Sequence, residues 1–310
     1  MKLSTSFLLL SSLVVSGNAI SKPGKWNLIW SEEFEGNSIN SNFWSHEVNC
    51  WGGGNNESQC YTSNPANSFI RDGRLHIVAL EELTSGPDGP NGEGPITTLP
   101  FSSARLNTKD KFMLKYGKIC ARAKLPSGQG AWPAIWMLPN NPEYTWAVDG
   151  EIDIMEAVNL PKEHHKSSKI HGTLHYGGAW PLNVHSGTDV TLSPDKHPSY
   201  HFNTYCIEWE EGEIRWFVND EHYATQRQWY SEKPDGSVIQ SPTPFNEEFF
   251  IILNLAVGGN WPGSPDQSTQ FPMTMEIDWI RAYKCSTGTP TGKGCNSVDS
   301  ESKLVSGYID

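Results

Sequence analysis

Sustained apolar spacing of the helical kind is almost absent from this 310-residue chain, which leaves little room for helices. Past Val15 no apolar run approaches the eighteen or so residues that a membrane-crossing helix needs. No Cys-x-x-Cys pair occurs, which counts against zinc knuckles and thioredoxin-like redox sites. Basic residues are outnumbered, 23 Lys and Arg against 35 Asp and Glu, for a net charge of −12. That balance argues against nucleic acid, a headgroup surface or an anionic polymer as the main partner. A neutral partner remains. There is no internal repeat.

Aromatics, by contrast, are plentiful. Thirteen tryptophans exceed what core filling alone explains, and their flat apolar faces suit stacking on the C–H face of a sugar ring. The chain opens on Met1-Lys2, an apolar stretch from Phe7 to Val15 and then Ser16-Gly17-Asn18-Ala19. This order reads as a signal peptide cut after Ala19, so the mature protein is expected to be secreted. Six cysteines agree with an oxidising compartment. Cys50 and Cys60 bracket a Gly/Asn-rich loop, and Cys285 and Cys295 bracket a Gly/Thr/Pro segment. Cys120 and Cys206 are then the long-range pair, one pairing scheme among the roughly fifteen that six cysteines allow.

Short alternating runs separated by Gly, Pro, Asn and Asp mark an all-β sandwich or barrel. They include Arg74–Leu80, Lys118–Leu125, Glu151–Val158, Ile170–His175, Cys206–Glu210, Ile214–Val218, Phe249–Val257 and Met275–Tyr283. Asn219-Asp220 reads as a hairpin turn. Thr84–Pro100, with several Gly and Pro, reads as a surface loop. After Cys285 the composition shifts to Ser, Thr, Gly and Lys. Three parts follow: a leader at 1–19, one domain at 20–285 and a linker-like or disulfide-tied tail at 286–310.

The segment Gly150-Glu151-Ile152-Asp153-Ile154-Met155-Glu156-Ala157 carries the chemistry. On a strand, successive side chains point to opposite faces, so Glu151 and Asp153 share one face while Ile152 and Ile154 enter the core. Strict alternation would bury Glu156 beside the isoleucines, at a cost of several kcal/mol. One extra residue at Ile154–Met155, a β-bulge, resets the phase and turns all three acids the same way. Glu151 and Glu156 then stand about 13 Å apart at Cα, at roughly 3.3 Å per step. Leaning together, their carboxyl groups approach the separation of about 5–5.5 Å used by retaining glycosidases. Taken alone, the pattern fits a solvated acidic edge or a strip of calcium ligands equally well.

The neighbours decide between these. The acidic segment resembles the active-site strand of glycoside hydrolase family 16, and other segments resemble that family's bacterial β-1,3-glucanases. These segments are Gly117-Lys118-Ile119 with Ala121-Arg122-Ala123-Lys124-Leu125-Pro126, Gly130–Pro139, His171–Gly177, Glu213–Asn219 and Ile252–Gly263, spread from about Trp30 to Tyr283 in the family's order. The resemblance implies a β-jelly-roll sandwich of two antiparallel sheets with an open concave cleft. It implies Glu151 as nucleophile, Asp153 as assisting acid and Glu156 as general acid/base. The bulged spacing is that of laminarinases, agarases and carrageenases rather than licheninases.

Six further positions are expected to bind substrate. Trp132 and Trp136, four apart on a strand, form a stacking platform, and Trp261 projects from a Gly-Gly-Asn-Trp-Pro-Gly turn. His175 resembles a histidine near the acid/base, Arg105 resembles a cleft arginine, and Asn55 lies in a segment that resembles one donating hydrogen bonds to sugar hydroxyls in that family. Cys60 stands where the family has a tyrosine. Cys120 and Cys206 replace an acidic and a small residue, which favours the bond between them. No cofactor is expected for catalysis. A structural calcium is implied, held by backbone carbonyls of Glu33 and Gly73 and by Asp278. The expected activity is endo-hydrolysis of β-1,3-glucans by a monomer. Mixed-linkage glucanase, galactan hydrolase and non-catalytic β-glucan-binding protein are the alternatives.

Overall fold

The computed structural model describes residues 24–296 and the backbone of 303–305. The expected leader lies outside the described residues. Among those described there are twenty-one strands, two single turns of 3-10 helix and no α-helix. None of the helical segments is long and apolar enough to cross a membrane.

The alternating runs become strands with one face in the core. In Gly117–Lys124, Ile119, Ala121 and Ala123 are buried while Lys118, Arg122 and Lys124 reach outward. In Ala131–Pro139, Ile135 and Met137 are buried while Trp132 and Trp136 stay half-buried on the opposite face. The strands form two packed sheets, a jelly-roll sandwich. Ile135, Met137, Ile152, Ile154, Leu174, Leu253 and Leu255 of one sheet meet Leu75, Ile77, Ile119, Ile207, Trp209 and Trp216 of the other. Each such aliphatic side chain contributes about 1.5–3 kcal/mol by leaving water.

One sheet carries the acids. Its centre runs from Phe249–Val257 through Ala131–Pro139 and Glu151–Glu156 to Ser168–Gly177, all antiparallel. Asn183–Leu192 pairs with Ser168–Gly177 on one side, and Arg105–Asn107 pairs with Phe249–Val257 on the other. The three expected disulfides are present: Cys50–Cys60, Cys120–Cys206 and Cys285–Cys295. Cys120 and Cys206 sit directly opposite each other on adjacent strands. The Asn219-Asp220 hairpin forms, with both residues at positive φ as a tight type I′ turn requires.

Two expectations need correction, and the tail is disulfide-tied, one of the two forms expected of it. The sheets are mixed rather than purely antiparallel, because Gln59–Tyr61 with Ile96–Ser103, Tyr230–Glu232 with Ser168–Gly177, and Lys303–Val305 with Glu221–Gln226 pair in parallel. Thr84–Pro100 is no loop. Arg74–Pro87 and Ile96–Ser103 pair as far as Pro87 opposite Ile96, leaving only 88–95 unpaired. Pro87 is tolerated because it ends its strand, where the missing N–H costs nothing. The tail is held by Cys285–Cys295 and also supplies the Lys303–Val305 edge strand, since main-chain pairing needs no apolar content.

Candidate active site

The acidic strand, Glu151–Glu156, does bulge. It pairs with Ser168–Gly177 as Asp153 opposite Thr173 and Glu156 opposite His171. Three steps on one strand match two on the other, so Ile154–Met155 holds the extra residue. Ile152, Asp153, Ile154 and Met155 are buried, and Glu151 and Glu156 are half-buried at the two ends. Trp216, from the opposite sheet, donates its indole N–H to the Asp153 carbonyl at 2.8 Å, which pins the strand where the bulge interrupts its ladder. Gly150, at φ 85°, starts the strand. A Cβ there would lie 2.8 Å from Pro244 and 2.9 Å from Phe245, so only glycine fits both the turn and the close approach.

Each glutamate has its own indole donor. Trp146 Nε1 donates to Glu151 Oε2 at 2.9 Å, and Trp132 Nε1 donates to Glu156 Oε1 at 2.9 Å. His175 Nε2 lies 3.2 Å from Asp153 Oδ2 and 3.6 Å from Glu151 Oε1, bridging the two acids. Burial pushes all three acids up to about 8. The Asp153 charge adds to the rise at Glu151 and Glu156, and the indole donors and His175 oppose it. Groups this close titrate as one set, so near neutral pH the cluster holds protons that free carboxylates would have released. A retained proton is what the acid of a retaining carboxyl pair needs in order to protonate a leaving oxygen.

The structure brings most of the expected binding residues to this face. Trp136 donates to Asn254 Oδ1 at 2.7 Å and carries the Arg105 guanidinium 4.5 Å above its ring. Arg105 also pairs with Glu47 at 3.2 Å. Trp261 stands edge-on to Trp132 at 5.5 Å and to His171 at 5.0 Å. The turn that carries it passes so close that a Cβ on Gly259 would meet the Trp132 ring at 3.3 Å. Asn55 lies beside the same turn. Its amide donates to Gly53 O at 3.3 Å and its carbonyl accepts from Asn260 N at 2.8 Å, so it ties the disulfide loop to the Trp261 turn.

The calcium residues lie apart, on the other sheet. Asp278 pairs with Arg122 and lies 3.8 Å from Arg74, and the Glu33 carboxylate is forked on Arg281 at 2.9 and 2.8 Å. Two guanidiniums already neutralise the single charged ligand, so Glu33, Gly73 and Asp278 as arranged do not fit a hard dication.

Sequence reasoning missed Trp146, His171 and a buried chain that starts at Asn254. Trp146 lies in an irregular loop with no period to reveal it. His171 shares a face with Thr173 and His175 by simple alternation, a signal that was there to be read. Asn254 donates to the Tyr61 hydroxyl at 3.0 Å, which reaches the buried Glu57 at 3.2 Å, and nothing local announces that chain.

Comparisons with known proteins show what this chain is similar to. The model of glycosyl hydrolases family 16 matches residues 47–281. Glucan endo-1,3-beta-glucosidase A1 of Niallia circulans is 40% identical over 271 residues, covering 83% of this chain. The chain spans only 38% of that relative's length. A glucan endo-1,3-beta-glucosidase of Cryptopygus antarcticus is 37% identical over 270 residues, covering 84% of this chain and 93% of its own. The catalytic domain of an endo-1,3-beta-glucanase (laminarinase) from Thermotoga petrophila RKU-1 superposes with a TM-score of 0.70 at 36% identity. That match covers 85% of this chain and 99% of the Thermotoga chain.

Proposed function

The chain belongs to glycosyl hydrolases family 16, and we propose that it is a secreted, monomeric, retaining endo-β-1,3-glucanase acting on laminarin-type glucans. The observation that carries this reading is the one-residue bulge at Ile154–Met155, which turns Glu151, Asp153 and Glu156 onto one face. The names of its relatives supply the substrate class. Three disulfides support export to an oxidising compartment.

Glu151 attacks the anomeric carbon as a carboxylate while Glu156, protonated, delivers its proton to the departing glycosidic oxygen. A glycosyl ester forms on Glu151 and the leaving chain departs with a new hydroxyl. Glu156, now ionised, takes a proton from water. The resulting nucleophile attacks the same carbon, and the ester bond to Glu151 breaks. Two inversions leave the β configuration. Asp153, bridged to Glu151 by His175, shares protons with the nucleophile, and Trp146 holds the Glu151 carboxylate in place.

Reducing-end release from laminarin, mixed-linkage glucan, agarose and carrageenan tests the substrate, with early products followed by proton NMR. Laminarin is expected to be cleaved fastest and to yield the β-anomer first. Preference for agarose, or first appearance of the α-anomer, would overturn the substrate or the mechanism respectively.

A further inference from the structure

The hairpin joining Ser168–Gly177 to Asn183–Leu192 ends in Ala179-Trp180-Pro181-Leu182. Trp180 is 75% exposed and Leu182 67%, which makes this the most exposed tryptophan among the described residues. An indole this exposed offers a flat apolar face on which the C–H face of a sugar ring can stack. Its occupant follows from where it sits. Trp180 is five residues beyond His175, the residue bridging Glu151 and Asp153, hence within about 17 Å of it along an extended chain. The rung at His175 already continues across the hairpin to His185, whose ring lies 5.9 Å away. Trp146, partly exposed at the same end of the acidic strand, faces His175 at 5.5 Å. The tip is also fixed in shape, with Leu182 N donating to Ala179 O at 2.8 Å and Gly178 N to Leu182 O at 3.3 Å. A pre-shaped aromatic face loses little entropy on binding.

We propose that Trp180 is a distal sugar-stacking platform that extends the cleft past its Glu151 end and selects for long glucan chains. The inference rests on the β-1,3-glucan reading. The pyranose C–H face lies on the indole, so the contact rewards chain length and leaves the chemical step alone.

The test is steady-state kinetics of the full chain on laminari-oligosaccharides from the trimer upward and on laminarin, for wild type, Trp180→Ala and Trp180→Phe. In Trp180→Ala, KM for the long substrates is expected to rise about tenfold. Its kcat, its Tm and its kinetics on the trimer should match wild type, and Trp180→Phe should recover most of the loss. An unchanged KM at every length, or an equal loss at every length, overturns the platform. So does a concentration-dependent dimer that Trp180→Ala abolishes, which would give the tip to a second copy of the chain. A wild type that leaves laminarin uncut removes the glucan reading and the platform with it; a wild type that cuts it, with a variant indistinguishable at all lengths, removes the platform alone.

Discussion

The two flanks of the acidic strand are built on opposite plans. Toward Ala131–Pro139, Phe249–Val257 and Arg105–Asn107 the cleft is locked. Trp136 holds Asn254, Asn254 holds Tyr61, and Glu57 accepts from both Tyr61 and Gln59, while Gln59 accepts from Val257 N at 2.7 Å. Tyr61, Gln59 and Asn254 are all at least nine-tenths buried. Toward Ser168–Gly177 and Asn183–Leu192 the cleft is open: His185 is exposed, His171 half-buried, and the hairpin tip bare. Fixed, dry donors on one side can hold a sugar in one pose, because their orientation is settled before substrate arrives. The open side leaves room for a chain of varying length. Between them the acids occupy the one strand whose register is broken.

The largest expected effect lies on that middle strand. Glu151→Ala and Glu156→Ala should each lower kcat on laminarin by on the order of 10³–10⁵-fold while the chain stays folded. Retention of wild-type activity by either would separate that residue from the chemistry.

The contrast between flanks predicts the next effect. Asn254→Ala removes the acceptor of the Trp136 N–H and the donor to the Tyr61 oxygen and should cost about 1–3 kcal/mol in denaturant unfolding. His185→Ala, at the exposed edge, should stay within about 0.5 kcal/mol. Equal costs would erase the distinction between a locked and an open flank.

Smaller effects separate the two ends of the acidic strand. A donated hydrogen bond favours the ionised carboxylate, so its loss raises that carboxyl's pKa further. Trp146→Phe should move the acid limb of the kcat/KM–pH profile, set by Glu151, to higher pH. Trp132→Phe should move the alkaline limb, set by Glu156, to higher pH. Opposite limbs responding would exchange the roles of the two glutamates. Stability carries the same signature. With Glu156 raised from 4.5 to about 8, the folded chain keeps a proton that the unfolded chain has released across that window. Stability therefore falls as pH rises through it. Thermal melts of Glu156→Gln should match wild type near the lower bound and exceed it at the upper.

The sequence carried the bulge because one carboxylate would otherwise be buried among isoleucines; the conflict was visible in eight residues. The shared face of Trp132 and Trp136 followed from strand alternation in the same way, whereas His175 was reached through the family resemblance alone. Other features depend on residues distant in the chain. Asn254 and Tyr61 are 193 positions apart, and no local pattern links them. The 84–100 segment misled because glycine and proline were taken as loop markers, although a strand end tolerates both.

The central claim is that the bulge makes Glu151 the nucleophile and Glu156 the acid/base, and azide rescue on a laminari-oligosaccharide with an activated leaving group tests it most directly. Without Glu151, azide attacks the anomeric carbon in its place, so Glu151→Ala should give the α-glycosyl azide. Without Glu156, the glycosyl ester still forms and azide displaces it, so Glu156→Ala should give the β-glycosyl azide. The reverse pair of products would contradict the account.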